Sequence, residues 1–591
     1  MSNSDLFYFE EELSYFREKS SSFAKKYPEV ASALGISDDS VDDPEIARLV
    51  ESVCLLNSRI QKRLDDDFSD FTESLLRVIY PDYLKPVPAY SLFKVDVNND
   101  ANAKAVIPRN SLFEVGEKGG EHCFFSTTRD LEIYPMQLQN VNIYNAPFDE
   151  SNIVDLPKAN TMLEFVFNST DASQTLRDIG VNKIDLHIRS SGNLAMRIYD
   201  EIRINLLDIY VECSGQVFHI GSKALYNPNF ELDSTVIPYS KNTFPGLRLL
   251  SEFFMFQDVF CMFRFDLSSI LEHLNGGTCK VKLYLKESRS EVLHLIQKEH
   301  FNLYTVPVIN LYREFTDPIE INFMKDAYPL IISDNRTRRS LYSVEKIYAT
   351  RDSVKKAVLE LYDEKFDFSG STKRWMLRTE NNDGFIEGKV SFVDLSHNVA
   401  VQDSCDMVAE VMVTDGYRVN GINFADVAIS PMKAMNIPGS LKFMRRPSVQ
   451  INPREEKSDN WDILAHLKLN YLFAVSYDEL LLQLKSLFKL YNRNGSRQND
   501  IYIDAMKHIQ YSSAVEPIRI SGKSYYACGA RIVVTLNPHE LSDGIYVFAE
   551  FLNKFFSLFV SFNSFVQLSV MLEGSDEPYV TFPRRMGCQD A

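Results

Sequence analysis

Apolar positions in the first ninety residues recur at helical spacing. Leu6, Phe9, Leu13, Phe16, Phe23 and Tyr27 fall at three-, four- or seven-residue steps with charged residues between them, which predicts an amphipathic helix. That helix should end near Pro28, whose ring removes a backbone donor and restricts the residue before it. Asp43-Pro44-Glu45 then reads as N-cap, first-turn proline and first-turn acid. The helix that follows is expected to bury Ile46, Val50, Val53, Leu56, Ile60 and Leu64, with Asn57 interrupting the stripe. A third helix through Phe68, Phe71, Leu75, Val78 and Ile79 stops at Tyr80-Pro81. The segment YPDYLKPVPAY places three prolines in eight residues, a stiff extended strap rather than a flexible linker.

Beyond Ser91 the period changes. Short apolar or alternating runs such as SLFKVDV, MLEFVFN, KIDLHIR, MFRFDL and CKVKLYL are separated by Gly, Asn, Asp and Pro, the pattern of strands and turns in β-sandwich or barrel-like domains. Periodicity leaves Ile204–Cys213 open between strand and helix. Phe301–Ile321 reads as a strand-poor, proline-punctuated connector held by its side chains, and Ser369–Gly388 as an exposed loop within a second strand-rich stretch. Near the end, Trp461, Leu464, Leu467, Leu469 and Tyr471, then Leu480, Leu481, Leu484, Leu487 and Leu490, predict two adjacent helices before further strands. The apolar stretch Ile545–Phe562 carries Glu550 and Lys554 four residues apart. A lipid-embedded helix would lose about 2.5 kcal/mol or more on each charge, so a nearly buried soluble helix is expected.

These periods give an α+β multidomain chain in four parts: a helical N-terminal region with the strap over 1–90, a β-rich region of two subdomains over 91–335, a second β-rich domain over 336–458, and an α/β C-terminal domain over 459–591. The formal charge of −18 repels phosphate backbones and argues against nucleic acid. The eight cysteines are scattered and form no CxxC pair; in 591 residues a core needs no disulfides, so they read as reduced thiols of a cytosolic protein. The N-terminus turns acidic before any apolar stretch develops, unlike a secretory leader. The 41 Phe and 29 Tyr favour strands, cores and protein interfaces.

The search for chemistry yields little. No phosphate-cradling glycine loop, HExxH, GxSxG or EF-hand loop is present. His122-Cys123 and Cys213 with His219 suggest no four-ligand set, and adjacent carboxylates at Asp65, Asp66 and Asp67 point in different directions on a helix. No catalytic, cofactor or metal residue is assigned, and no enzyme activity is expected. A ligand-binding β module, or a divergent hydrolase with converging carboxylates or histidines, stand as alternatives.

Ordered segments across the chain carry a resemblance. FYFEEELSYFREKSSSFAKKYPEVASALG, the RIQKRLDDDF core and the YPDYLKPVPA strap, followed by VPVINLYREFTDPI, WDILAHLKLNYL, RIVVTLNPHEL and a closing FPRRMG, closely resemble the TssF (ImpG, VasA) family of the type VI secretion baseplate. Phe582 stands where that family commonly has tryptophan. The resemblance implies a cytoplasmic structural subunit of a contractile injection machine of Gram-negative bacteria, similar to wedge proteins of contractile phage tails. It implies assembly with TssG (two copies of this chain to one) and contacts with TssK, TssE and the spike protein VgrG. Self-association within the wedge and docking near the inner membrane through the baseplate are implied as well, without cofactor or membrane insertion. Candidate interface residues are Phe7, Phe9, Phe16 and Phe23, strap residues Tyr83, Pro86 and Pro88, Asn310 in the connector, and Phe555, Phe559 and Phe562. For each, packing inside the chain's own core is the competing reading.

Overall fold

The computed structural model of the protein describes residues 3–33, 44–99, 101–116, 121–148, 158–171, 173–190, 192–240, 243–286, 290–322, 325–332, 338–351, 354–361, 373–394, 405–424, 427–453, 477–520, 523–560 and 564–587. The helix expected around Trp461 and Tyr471, and Phe562, lie outside them. The architecture is mixed α+β, with helices first and a β-rich middle. The chain separates into a smaller unit that takes in Met1–Leu84 and a larger one beginning at Lys85.

The smaller unit contains α1 (Asn3–Lys26), a single turn and a half at α2 (Pro28–Ala33), and α3 (Pro44–Ile79). Sequence periodicity suggested separate helices either side of Asp65; the chain forms one instead, because no proline or glycine interrupts it before Pro81. Its 36 residues span about 54 Å at 1.5 Å per residue.

Among the described residues the larger unit contains sheets of six, five, four, eight, two and five strands. The six-stranded sheet joins distant parts of the sequence. Strand β1 (Tyr90–Val97) pairs on one side with Thr305–Ile309 and on the other with Gly439–Phe443. The division expected at residue 335 therefore does not separate sheets. Phe93, Phe113, Phe125 and Phe443 fill its buried face, with ring centroids 4.8 Å apart for Phe93–Phe443 and 5.5 Å for Phe93–Phe113.

Two stretches differ from their sequence reading. Phe301–Ile321 is strand-rich, contributing Phe301–Asn302, Thr305–Ile309, Tyr312–Phe315 and Ile319–Ile321; strands of two to five residues between prolines leave no period to read. Within Ser369–Gly388, residues 373–382 and 385–388 belong to a hairpin, Lys373–Asn382 against Phe385–Asp394. It turns at Asp383 and Gly384, both with positive φ (50° and 82°), the mirror-image turn that suits strand twist. The ambiguous Ile204–Cys213 resolves into the end of helix Leu194–Asn205 and a strand, Leu206–Cys213.

The C-terminal part returns to helices. Tyr477–Tyr491 and Arg497–Ala505 precede a long hairpin, Met506–Ile520 with Lys523–Leu536. Ile545–Leu558 then crosses over to Ser564–Leu572, which pairs parallel to the second hairpin strand. No described helix is long and apolar enough to cross a membrane.

Candidate protein interface

In the N-terminal unit, α1 carries Phe9 and Phe16 half-buried and Phe23 exposed, with the Phe23 ring 5.5 Å from that of Tyr27. Phe7 lies on the same helix. On α3 three of the residues expected inside face outward: Val53, Leu56 and Ile60 are 48, 59 and 58% exposed, as is Leu49 at 66%, while Ile46 and Val50 are half-buried. The buried face is one step round the helix, at Cys54 and Ser58. Burial raises the pKa of the Cys54 thiol, and Glu12 on α1 adds to it, so this face looks toward α1. Steps of four, three and four residues, preceded by Ile46, form a heptad seam with β-branched residues at one position and leucine at the other. Sequence reading assigned Val53, Leu56 and Ile60 to the interior because periodicity shows that a face is to be covered, not what covers it.

The strap and connector residues are internal to the fold. Tyr83, Pro86 and Pro88 are buried, and Val87 forms a two-way backbone bridge with Ile451 (2.7 and 3.0 Å). Asn310 is fully buried. Its Nδ2 donates to the Phe124 carbonyl (2.7 Å) and to Asp415 Oδ2 (2.6 Å), while its Oδ1 accepts from the Asp415 N–H (2.8 Å). The Tyr312 hydroxyl and the Phe124 N–H also donate to the Asp415 carboxylate, each at 2.9 Å, and Arg418 lies 3.8 Å from it. The asparagine-leucine-aromatic run of the connector is thus a latch between the six-stranded and eight-stranded sheets.

The apolar C-terminal helix Ile545–Leu558 is buried along all its residues. Phe555 sits against Phe488 and Phe559, with centroids 5.5 and 4.7 Å away, and Phe559 meets Phe244 at 4.6 Å. Both rings pack inside the chain, the competing reading for this segment. Phe582 is buried beside Tyr546. The two charges on the helix pair elsewhere rather than with each other. Glu550 accepts from Tyr199 (2.7 Å) and Arg203 (3.1 Å), and Lys554 lies 3.7 Å from Glu231.

The polar groups of the larger unit perform structural work. His187 donates from Nε2 to the Asp258 carbonyl at 2.7 Å, and burial, with Arg129 and Arg189, lowers its pKa to about 3; it is neutral and moves no proton near pH 7. Asp200 lines a cavity of about 500 Å³ with Glu201 and Tyr579, yet its carboxylate accepts the N–H of Val547 at the start of helix Ile545–Leu558. His219 is held 2.8 Å from Asp208, and His122 lies 3.4 Å from Glu114. Among the described residues no group of three or more His, Cys, Asp or Glu is placed to hold a metal ion.

Comparison with known proteins agrees with a scaffold and lends no support to a ligand-binding module or a hydrolase. The family model described as type VI secretion system, TssF, matches residues 1–589. The type VI secretion system component TssF1 of Pseudomonas aeruginosa is 20% identical over 598 aligned residues, covering 95% of each chain. A chain of the type VI TssK-TssF-TssG baseplate subcomplex, solved by cryo-electron microscopy, shares the fold with a TM-score of 0.73 at 19% identity, covering 92% of this chain and 99% of that one. A chain of a type VI baseplate complex matches with a TM-score of 0.59 at 18% identity, over 99% and 100%. The chain belongs to the TssF family, and is a structural subunit of the type VI secretion baseplate.

Proposed function

We propose that this chain builds the baseplate wedge by joining a TssG-family subunit, two copies to one, and that the wedge engages TssK, TssE and the spike protein VgrG. The docking of this assembly near the inner membrane belongs to the same reading. The observation that carries it is the end-to-end match to a chain solved within a TssK-TssF-TssG subcomplex. The outward seam of α3 supports the two copies. Val53 and Ile60 alternate with Leu49 and Leu56, a combination of β-branched residues and leucine that favours two-stranded helix pairing, and these four exposed residues call for a partner. The role is mechanical: hold the ring, then rearrange so that the sheath contracts.

Co-expression with the TssG-family chain from the same gene cluster, followed by native mass spectrometry, tests the assignment. An assembly containing two copies of this chain and one of the other is expected. Two monodisperse proteins that stay apart across a range of salt would overturn it.

A further inference from the structure

Cys213 and Cys279 stand directly opposite each other on antiparallel strands Leu206–Cys213 and Thr278–Leu285. Which way their backbones face follows from two separate observations. On one side, the hairpin that ends at Cys213 turns through Ser214 and Gly215, both at positive φ (52° and 77°), and closes on the pair Cys213–Gln216. Residues flanking such a two-residue turn exchange their backbone hydrogen bonds with each other, so the Cys213 N–H and C=O point away from Cys279. Ile209, on the same side of the strand by alternation, gives its carbonyl to the Ile220 N–H at 3.1 Å. On the other side, the Ser169 N–H donates to the Gly277 carbonyl at 2.7 Å. Gly277 and, two residues on, Cys279 therefore turn their backbones toward strand Thr161–Ser169, where Cys279 faces Phe167.

The two cysteines consequently occupy a non-hydrogen-bonded site of the sheet. There the Cα atoms of opposed residues approach to about 4.5 Å, with both side chains on one face. A disulfide spans Cα separations of about 4.4–6.8 Å. Gly276 leaves room beside them: a Cβ at that position would lie 3.2 Å from Cys213 Sγ. Both thiols are free and buried.

We propose that Cys213 and Cys279 form a cross-strand disulfide when the protein meets an oxidant of the low-molecular-weight disulfide class. Cys213 ends its strand at the exposed Ser214-Gly215 turn, whereas Cys279 is fully enclosed, so Cys213 makes the first attack. Its thiolate displaces one thiol from the small disulfide and forms a mixed disulfide. The Cys279 sulfur, giving up its proton, then attacks Cys213 Sγ and releases the second thiol. Two protein thiols are oxidised, one small disulfide is reduced to two thiols, and the two protons end on those leaving groups. The bond staples neighbouring strands of the five-stranded sheet and closes a loop that contains helix Pro245–Met255.

The test uses the full chain carrying C528S, which removes an exposed thiol. After incubation with oxidised glutathione, free thiols are alkylated under denaturing conditions and unreduced peptides are mapped by mass spectrometry. With eight cysteines in the native sequence, free thiols in the variant should fall from seven to five. One linked peptide pair joining residues 213 and 279 should appear, and dithiothreitol should reverse it. The thermal midpoint should rise on oxidation, and this rise should vanish in the further variant C279S. Full alkylation of both cysteines after oxidation, or links that contain only one of them, would overturn the proposal. The peptide map reads the native pair, so it stands even where C279S folds poorly.

Discussion

Asn310 and Asp415, 105 residues apart in the chain, hold each other through two opposed hydrogen bonds, the amide donating to the carboxylate and accepting from the partner's backbone N–H. Removing the carboxylate leaves the Asn310 amide, the Tyr312 hydroxyl and the Phe124 N–H short of an acceptor. Asp415→Ala should therefore destabilise the larger unit by about 2–4 kcal/mol, and Asp415→Asn by less. Chemical unfolding followed by tryptophan fluorescence reads this, since Trp375 is buried in the eight-stranded sheet. A midpoint unchanged in Asp415→Ala would mean the latch carries no load.

The buried pair Arg203–Glu550 makes a second prediction. Glu550→Ala alone should cost about 3–5 kcal/mol because the guanidinium is left buried without its anion. Adding Arg203→Met should recover part of that loss, since the double variant buries no orphan charge. A double-mutant cycle in thermal unfolding measures the coupling, and strictly additive losses would contradict it.

Two buried carboxyls set a pH dependence. Burial raises Asp200 to about 7 against the opposing N–H groups of Val547, Tyr546, Ile545 and Gly544. Burial likewise raises Glu252 to about 7 against the N–H groups of Ile237 and Val236 and the charges of Arg248 and Arg109. Ordinary values lie near 4, so between about pH 4 and 7 the native state retains protons that the unfolded chain has released. Stability from these groups is full at the acid end and is lost as pH rises through that window, by on the order of 3 kcal/mol per group. Thermal midpoints from pH 5 to 8 should fall in the parent and flatten in Asp200→Asn and Glu252→Gln. An equal slope in all three would refute the assignment.

The α3 seam predicts a separation of folding from assembly. Leu56→Lys and Leu49→Lys change exposed positions and should leave the melting curve within about 0.5 kcal/mol of the parent. Association between the two copies of this chain should weaken by at least about tenfold, the equivalent of 1.4 kcal/mol. Thermal unfolding of the variant chain reads the first and native mass spectra of the co-expressed assembly the second; unimpaired pairing of the two copies in the double variant would remove the seam from the interface.

Legibility in the sequence followed the reach of each interaction. The helical period of α1 and the stop at Pro81 are local and read correctly, whereas the period over α3 suggests two helices and the chain forms one. The Asp383-Gly384 turn was equally local and carried a hairpin signal that the surrounding polar residues obscured. Asn310 could be noticed as a motif, but its partner Asp415 lies across a sheet boundary that no spacing rule reveals. The fully buried face of Ile545–Leu558 was foreseen from its composition, whereas the turning of Glu550 to Arg203 depends on a helix more than three hundred residues earlier. On α3 the recurrence of Val53, Leu56 and Ile60 was visible, but neither their outward direction nor the place of Leu49 beside them was.

The placement of β1 has a consequence in time. Tyr90 takes a hydrogen bond from its own N–H to the Ser448 hydroxyl, 358 residues later in synthesis. At roughly 5–20 residues per second, a ribosome needs about 20–70 s to deliver that half of the sheet. Throughout this interval one edge of β1 has no neighbour, and an unpaired strand edge invites pairing with other chains. Completion of the larger unit is thus a late event in translation, and its yield in the cell should depend on how well nascent chains are kept apart.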